Sequence, residues 1–275
     1  MTTVSIRRSG SLAAAGALAL AAQPGRAAAH TDVATLPQQP PWTIVLRPSL
    51  WRPGLGGDVD TNARRLDVRR FDLDDPDIGF TGEAELRTAH VVLRLGGFHF
   101  DTTGSGEASS TLTLDKAVAP PDARFRAEAD ITSGQLTIGR QFTWTIGRDA
   151  HRRSVDLSLE VYAGARAYDA TVSLDPAGGP GDETGGFFLE PLAGARLTLD
   201  VLQRGSVRFS ADAGAQPFGS RTSASFDLQA VFALSPAPNT EIFVGWRQIV
   251  MDLERSDDTL DISLAGLFFG ATLSF

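Results

Sequence analysis

A strict two-residue alternation over long stretches is the feature that most constrains how this chain folds. In SVDLSLEVYAGAR, the odd-numbered positions of 155–165 are all apolar, whereas the even-numbered positions of 156–166 carry Asp, Ser, Glu, Tyr, Gly and Arg. The stretches FFLEPLAGARLTLD, SVRFSADAGA and SFDLQAVFAL alternate in the same way. A period of two is that of a β-strand whose faces meet different environments. The chain is therefore predicted to be all-β, with hydrocarbon and charge on every strand.

Ten such strands can be traced between loops rich in Gly, Asp, Pro and Ser. They cover about 42–52, 78–87, 90–101, 124–147, 153–175, 187–200, 204–215, 222–234, 239–254 and 259–275. Most reach the roughly 9 to 11 residues that a tilted strand needs to cross a bilayer. The segment RRLDVRRFDL within 53–77 is either an additional strand, which would raise the total to twelve, or a piece folded inward. Shifts in phase at 133–134 and 265–266 predict a β-bulge at each glycine.

Short and long connections alternate along these ten strands. The short ones lie at 87–90, 148–152, 201–204 and 235–239, and the long ones at 53–77, 102–123, 176–186, 216–221 and 255–258. Both ends of the strand array then share the side of the short turns. Short periplasmic turns and longer outer loops are typical of outer-membrane barrels. The pattern predicts a closed, antiparallel, up-and-down transmembrane β-barrel.

The N-terminal residues predict export from the cytoplasm. Two arginines precede an uncharged run at 11–22, and small residues follow, so residues 1–29 are interpreted as a signal peptide. Residues 30–41 then form a periplasmic linker and residues 42–275 the barrel. Loss of three arginines leaves 25 − 3 = 22 basic residues against 33 acidic ones, a net charge of −11. This balance disfavours nucleic acid as a partner.

A soluble periplasmic β-sandwich, or a lipocalin-like carrier of an apolar ligand, is the alternative interpretation. Such a fold also alternates, but it places its apolar face in the core and its charges in water. Alternation alone does not separate the two. The export signal, the strand lengths and the loop asymmetry favour the membrane barrel.

Five stretches carry a resemblance to small bacterial outer-membrane β-barrels of the OmpA-like or porin-like kind. They are WTIVLRPSLWRPGLGGDV, LEVYAGARAY, LEPLAGARLTL, EIFVGWRQIVMDLE and LAGLFFGATLSF. The resemblance implies a bacterial outer-membrane location, contact with membrane lipid, and a terminal aromatic strand read by the outer-membrane assembly machinery. The residues of that assembly signal would be Leu267, Phe269, Leu273 and Phe275. The sequence leaves the oligomeric state open.

If the apolar faces meet lipid, the opposite faces line the lumen. The predicted lumenal ion-pair network comprises Arg47, Glu83, Glu85, Arg94, Arg124, Arg126, Glu128, Asp130, Asp156, Glu160, Arg166, Glu190, Arg196, Arg208, Asp212, Asp227 and Arg247. Eight arginines against nine carboxylates in a narrow barrel favour pairing over an ion-selective pore. The lumen is expected to be narrow or plugged, and the role structural, adhesive or one of limited solute passage. In three Gly-x-Arg repeats, glycine either makes room for the guanidinium or merely relieves strand curvature.

No constellation in the sequence predicts an enzyme. The chain has four histidines and no cysteine, and no G-x-S-x-G motif occurs. His99 with Asp101 is the one pair that could assist a hydrolase on the outer side, and no nucleophile motif accompanies it. The acidic segment DLDDPDIG lacks the Ca²⁺-loop spacing. We therefore predict no catalytic residue, no cofactor and no metal site.

Overall fold

The computed structural model describes residues 42–61, 64–114, 117–148, 154–202, 204–216, 221–255 and 258–275. Within them lie thirteen strands: β1 (Thr43–Thr61), β2 (Arg64–Asp67), β3 (Gly79–Arg87), β4 (Val91–Glu107), β5 (Leu112–Leu114), β6 (Ala117–Ala119), β7 (Arg124–Arg148), β8 (Ser154–Pro176), β9 (Asp182–Val201), β10 (Gly205–Gln216), β11 (Arg221–Ala237), β12 (Thr240–Arg255) and β13 (Asp258–Ser274). A short 3-10 helix, η1, covers Val68–Phe71. The predicted signal peptide and linker lie outside the described residues.

Ten of these strands form a closed antiparallel ring. Their order is β1, β3, β4 and then β7 through β13, and β13 pairs back to β1. The backbones of Ile44 and Phe275 exchange two hydrogen bonds of 3.1 and 2.9 Å at this seam. Paired residues followed once around the ring from Val45 return to β1 at Gly57, 12 residues further along. Ten strands with that stagger tilt by about 40° from the barrel axis.

The strands and their number agree with the sequence prediction, with two differences in detail. β1 runs on to Thr61 and β4 to Glu107, so parts of two predicted loops are strand. The ambiguous segment at 53–77 adds no pair to the ring: β2 pairs only with the outer end of β1, and η1 turns inward with Val68 and Phe71 buried. The barrel therefore has ten strands, and the alternative of twelve is wrong.

The side chains that point away from the lumen form an apolar belt around the barrel. Each ring strand contributes residues to it that are more than a third exposed, among them Leu46, Phe80, Leu95, Ile138, Val161, Leu189, Phe209, Phe232, Ile242 and Phe269. Water would solvate such a belt poorly, whereas lipid acyl chains cover it at no cost. The closed ring also leaves no unpaired strand edge inside a bilayer. Among the described residues, no helix has the length and apolar character needed to cross a membrane.

Beyond the belt, toward the long-loop end, the two faces exchange their chemistry. On β12 the inward residues change from Arg247 to Ile249 and Met251, while the outward residues change from Trp246 to Asp252. Apolar side chains from most ring strands pack there inside the barrel, including Leu55, Val59, Phe100, Ile131, Val172, Leu174, Met251, Leu253, Leu260 and Ile262. The expectation that apolar faces point outward along the whole strand is wrong for this outer third.

This exchange also explains why the two predicted bulges are absent. Pairing continues without a shift through residues 133–134 and 265–266. The irregularities that do occur lie at Thr145/Gly147 and Leu234/Ala237. The apparent slips in phase mark the height at which the medium outside the barrel changes from hydrocarbon to water. Successive side chains keep alternating between the two sides of the sheet. What changes at this height is whether the polar or the apolar residues face the lumen.

Candidate functional site

The middle of the lumen holds a compact set of ion pairs, here named the inner cluster. It consists of Arg47, Glu83, Glu85, Arg94, Glu160 and Arg196. Arg47 lies 2.6 Å from Glu83 and 2.8 Å from Glu85, and Arg94 lies 3.1 and 2.9 Å from the same two carboxylates. Arg196 reaches both at 2.8 Å. These three arginines face three glutamates, and Arg87, at the rim of the cluster, adds a fourth guanidinium 2.7 Å from Glu85.

Strand register brings some residues of this cluster together on adjacent strands, and the narrow diameter of the barrel brings the others within reach. Arg47 stands directly opposite Glu83 on β3, and Glu85 stands opposite Arg94 on β4. Arg196 on β9 comes from nearly the opposite side of the ring, and Glu160 on β8 lies two strands from β4. Arg94 donates two hydrogen bonds of 2.8 Å to Glu160 over the intervening strand β7. Charge-assisted pairs of this kind are the arrangement in which buried arginine and carboxylate are tolerated.

A second set, named the outer cluster, lies closer to the long-loop end. It consists of Arg166, Glu190, Asp212, Asp227 and Arg247. Arg166 pairs with Asp212 and lies 3.8 Å from Asp227, which is 2.6 Å from Arg247. Glu190 accepts a hydrogen bond from the hydroxyl of Ser225, which in turn accepts one of 3.1 Å from Arg166. A further pair, Arg208 with Glu241 at 2.9 Å, lies toward the short-turn end.

Aromatic rings join these polar layers to the apolar packing above them. The guanidinium of Arg247 lies 5.2 Å from the ring centroids of both Trp51 and Phe98. Those two rings meet edge to face at 5.4 Å. Lower in the lumen, Arg94 lies 5.1 Å from the Tyr162 ring. A desolvated guanidinium over an aromatic face is attracted to the ring as well as to its carboxylate.

The outer third of the lumen is packed with apolar side chains, and two loop elements complete it. From the β1–β3 connection come Val68, Phe71 and Leu73, and from the β5–β6 hairpin come Leu112, Leu114, Ala117 and Ala119, all of them essentially inaccessible to solvent. Their packing partners are the inward residues of the ring strands. We name this packed region the outer core.

The space left in the lumen is unevenly distributed. A cavity of about 640 Å³ lies at the short-turn end, lined by Arg47, Arg87, Asp156, Arg208, Ser235 and Glu241 among others. A much smaller pocket of about 60 Å³ lies between the two clusters, beside Thr81, Gln135 and Arg247. Both have walls that include charged and hydroxyl side chains and suit water, which needs roughly 10–15 Å³ of such volume per molecule.

Most of the predicted lumenal residues do face the lumen. The structure places inside Arg47, Glu83, Glu85, Arg94, Asp156, Glu160, Arg166, Glu190, Arg196, Arg208, Asp212, Asp227 and Arg247. Twelve of these thirteen form the two clusters and the Arg208–Glu241 pair, and Asp156 lines the cavity and accepts a 2.6 Å hydrogen bond from Thr145. The network is thus divided into layers rather than continuous.

Four predicted network residues, Arg124, Arg126, Glu128 and Asp130, lie outside the barrel. All four are exposed on β7, and the side chains of Arg124 and Asp130 are 82% and 51% accessible. They alternate with the buried residues Phe125, Ala127, Ala129 and Ile131, which belong to the outer core. The prediction is wrong for these four because water lies outside this end of β7, so its charged face turns outward.

Several residues of the site were missed by sequence reasoning. The hydroxyl of Tyr162 donates to Asp212 at 3.1 Å, that of Tyr168 accepts from Arg166 at 3.2 Å, and Gln135 accepts from Arg166 at 2.9 Å. Glu241 shares the inward face of β12 with Arg247, so alternation alone would have found it. Tyrosine and glutamine give no such signal, because their side chains suit either face of a barrel wall.

In two of the three Gly-x-Arg repeats the glycine has a role that neither sequence interpretation anticipated, whereas at Gly164 the nearest atoms are the backbone of β7. A side chain at Gly194 would collide with the Tyr162 ring and with Asp212, and one at Gly245 would collide with the Phe268 ring. The room at these two glycines is therefore occupied by aromatic rings of neighbouring strands.

The other singled-out residues lie on the outer surface. Leu267, Phe269, Leu273 and Phe275 all point to the lipid side and are 37–66% exposed. His99 lies 3.6 Å from Asp101 and 3.9 Å from Asp130 on the outward face of β4 and β7, with its Nδ1 2.9 Å from the Thr132 hydroxyl. Among the described residues, no group of acidic or histidine side chains has the geometry of a metal site.

Comparison with known proteins yields structural likeness only. No protein-family model matches the chain, and no curated protein sequence matches it. It is similar in structure to Ail, the attachment invasion locus protein of Yersinia pestis, at 11% identity, 84% coverage of this chain, 99% of that chain and a TM-score of 0.35. It is also similar to Neisserial surface protein A, at 11% identity, 85% and 97% coverage and a TM-score of 0.30. For the outer membrane protease OmpT of Escherichia coli the values are 8%, 85%, 97% and 0.39. The chain's own closed ring and apolar belt make it an integral β-barrel of the bacterial outer membrane.

Proposed function

We propose that this protein is a closed outer-membrane barrel that anchors a surface-exposed β-structure and passes no solute. The observation that carries the proposal is the outer core, whose side chains fill the lumen between the outer cluster and the long loops. A hydrated ion would have to displace packed leucine, isoleucine and phenylalanine side chains there. Hydrophobic constrictions of this kind exclude water and ions.

The two clusters support the same proposal. An ion entering from the short-turn end meets the inner cluster, in which three arginines and three glutamates already satisfy one another. Breaking such a pair leaves a buried charge without its partner and is strongly unfavourable. The inner cluster, the outer cluster and the outer core therefore form three successive barriers along the lumen.

The outward face of the outer third supports an anchoring or adhesive role. Above the belt it is polar, and its exposed residues include Asp101, Ser105, Arg126, Glu128, Asp175 and Asp252. An apolar interior beneath a polar exterior gives this part the build of a water-soluble β-barrel held above the bilayer. We propose no catalytic role, because the exposed His99, with Thr132 and two aspartates near it, faces open solvent rather than a cleft.

Recording from planar bilayers tests the closed state. The purified protein, shown to be folded by heat-modifiable migration on gels, is expected to give no stable conductance steps. A general diffusion porin inserted under the same conditions serves as the positive control. Stable openings on the nanosiemens scale from the folded protein would overturn the proposal.

We further propose that the terminal strand is read by the outer-membrane assembly machinery, with lipid as the barrel's permanent neighbour. The exposed ring of Phe275 supports this proposal, because the ring points away from the lumen while the backbone closes the seam. The variant Phe275→Ser is expected to lower the amount of inserted barrel in cells several-fold, yet to refold normally into detergent. The control Phe232→Ser alters another lipid-facing ring. Equal loss in both variants, or failure to refold in vitro, would argue for packing instead.

A further inference from the structure

One arginine lies within the apolar belt itself. The outward face of β7 reads Leu136, Ile138, Arg140, Phe142 and Trp144 in order toward the short-turn end, and all five side chains are exposed. The residues paired with Arg140 on the two adjacent strands are Val91 and Val161, which are also exposed on that face. The four nearest neighbours of Arg140 on the outward face, two along β7 and one on each adjacent strand, are thus all apolar.

The depth of Arg140 follows from the barrel geometry. Arg140 precedes Trp144 by four residues, about 13 Å along the strand and about 10 Å along the membrane normal at a tilt of about 40°. Interfacial tryptophans sit at the level of the lipid headgroups. The Cα of Arg140 is therefore below the headgroups of the leaflet on the short-turn side, within the acyl region. A long arginine side chain can extend from there to the interface.

The side chain is directed toward that interface. Its guanidinium lies 5.4 Å from the centroid of the Phe142 ring, and Phe142 stacks on Trp144 with centroids 6.4 Å apart and planes 20° apart. Both rings are on the short-turn side of Arg140. Within the described part of the chain, no carboxylate pairs with this guanidinium. The Phe142 ring, with Trp144 stacked on it, covers one side of the cation, and the N–H donors of Arg140 are left for an external acceptor.

We propose that Arg140, Phe142 and Trp144 form a binding site for the phosphate of a glycerophospholipid in the periplasmic leaflet. Guanidinium donates two parallel hydrogen bonds to a phosphate, a geometry that an ammonium lacks. The acyl chains of the same lipid would pack along Val91 and Val161. Burying an unpaired arginine in hydrocarbon is unfavourable, and a bound phosphate removes that penalty. The depth and the direction of the side chain favour this leaflet over the outer one.

Native mass spectrometry of the detergent-solubilised protein with added phosphatidylglycerol tests the site. The wild type is expected to retain one lipid molecule at least five times more often than Arg140→Gln. The matched control Arg126→Gln removes the same charge from the same face of β7 above the belt, and it should behave as the wild type. Inorganic phosphate at millimolar concentration is expected not to displace the lipid, which distinguishes a membrane lipid from a free anion.

A second measurement guards against a variant that is merely less well folded. In a maltoside detergent without phosphate, Arg140→Gln is expected to unfold at the same or a higher temperature than the wild type. In phosphatidylglycerol bilayers the order should reverse. Arg140→Lys should retain lipid to an intermediate extent. Equal lipid retention by Arg140→Gln and wild type, equal losses in Arg140→Gln and Arg126→Gln, or a lower unfolding temperature for Arg140→Gln in both media would overturn the proposal.

Discussion

Arg247 shows how a single side chain can join two incompatible environments. Its guanidinium binds Asp227 at 2.6 Å and reaches Thr81 at 3.3 Å, while its faces lie against Trp51 and Phe98. The carboxylate supplies charge neutrality and the rings supply an apolar surface. The outer cluster can therefore border the outer core without a layer of water between them.

Removing this side chain is expected to be costly. Arg247→Met would leave Asp227 buried with only Arg166, at 3.8 Å, as a cationic neighbour. We expect a loss of about 3–5 kcal/mol in the free energy of unfolding. The double variant Arg247→Met with Asp227→Leu should recover most of that loss, because it leaves no buried carboxylate without its arginine partner. Urea unfolding in lipid vesicles measures both, and a loss below about 1 kcal/mol for the single variant would contradict this account.

Strand β7 shows how far the sequence could be interpreted and where it misleads. Its alternation, its length and its place in the ring follow from the period of two, because backbone geometry fixes that period. The side on which each face lies does not follow, because alternation reports a difference between two media without saying which is which. Leu136 and Ile138 meet lipid, whereas Ile131, on the opposite face, meets the outer core.

The pattern predicted the outer core only in part, because an inward fold was one of two interpretations of the segment that carries Val68 and Phe71. Val68, Phe71, Leu112 and Leu114 stand in loop segments rich in polar residues, and only the folded ring brings them together. The inner cluster was accessible to sequence reasoning, since Arg47, Glu83 and Arg94 alternate with lipid-facing residues. Which carboxylate each arginine selects depends on the register and diameter of the closed ring. Those quantities belong to the tertiary structure.

The boundary on β7 between the lipid-facing belt and the water-exposed outer third can be tested with two substitutions on the outward face. Leu136→Arg would put a charge into the belt and is expected to cost about 2–4 kcal/mol. Glu128→Arg lies eight residues away on the same outward face, above the belt, and should change stability by no more than about 0.5 kcal/mol. Denaturant unfolding in vesicles compares them. Similar costs at both positions would mean that the belt extends to Glu128.

The two ends of the barrel differ in how their lumen is filled. The cavity of about 640 Å³ is lined by Gly205 and by the turn at 238–239, whereas the outer core fills the opposite end. The clusters lie between these two regions. Access to the lumen is therefore expected from the periplasmic side alone.

Thiol labelling can measure this sidedness, because the chain has no cysteine of its own. Ser235→Cys lies on the cavity wall beside the β11–β12 turn, and Ser105→Cys lies on the exposed outer face of β4. A polymer-linked maleimide too large for porins should label Ser105→Cys in intact cells and Ser235→Cys only after the outer membrane is permeabilised. Labelling of Ser235→Cys from outside at the rate of Ser105→Cys would show a passage through the barrel.

The exchange of chemistry along the strands also sets the vertical position of the molecule. Raising the barrel by one residue pair would bring leucine and phenylalanine into water, and lowering it would draw Asp252 and Asp101 into hydrocarbon. Both displacements are opposed, so the molecule has a single preferred immersion. In a bilayer of unsuitable thickness the lipid has to stretch or compress around it, because the protein cannot slide.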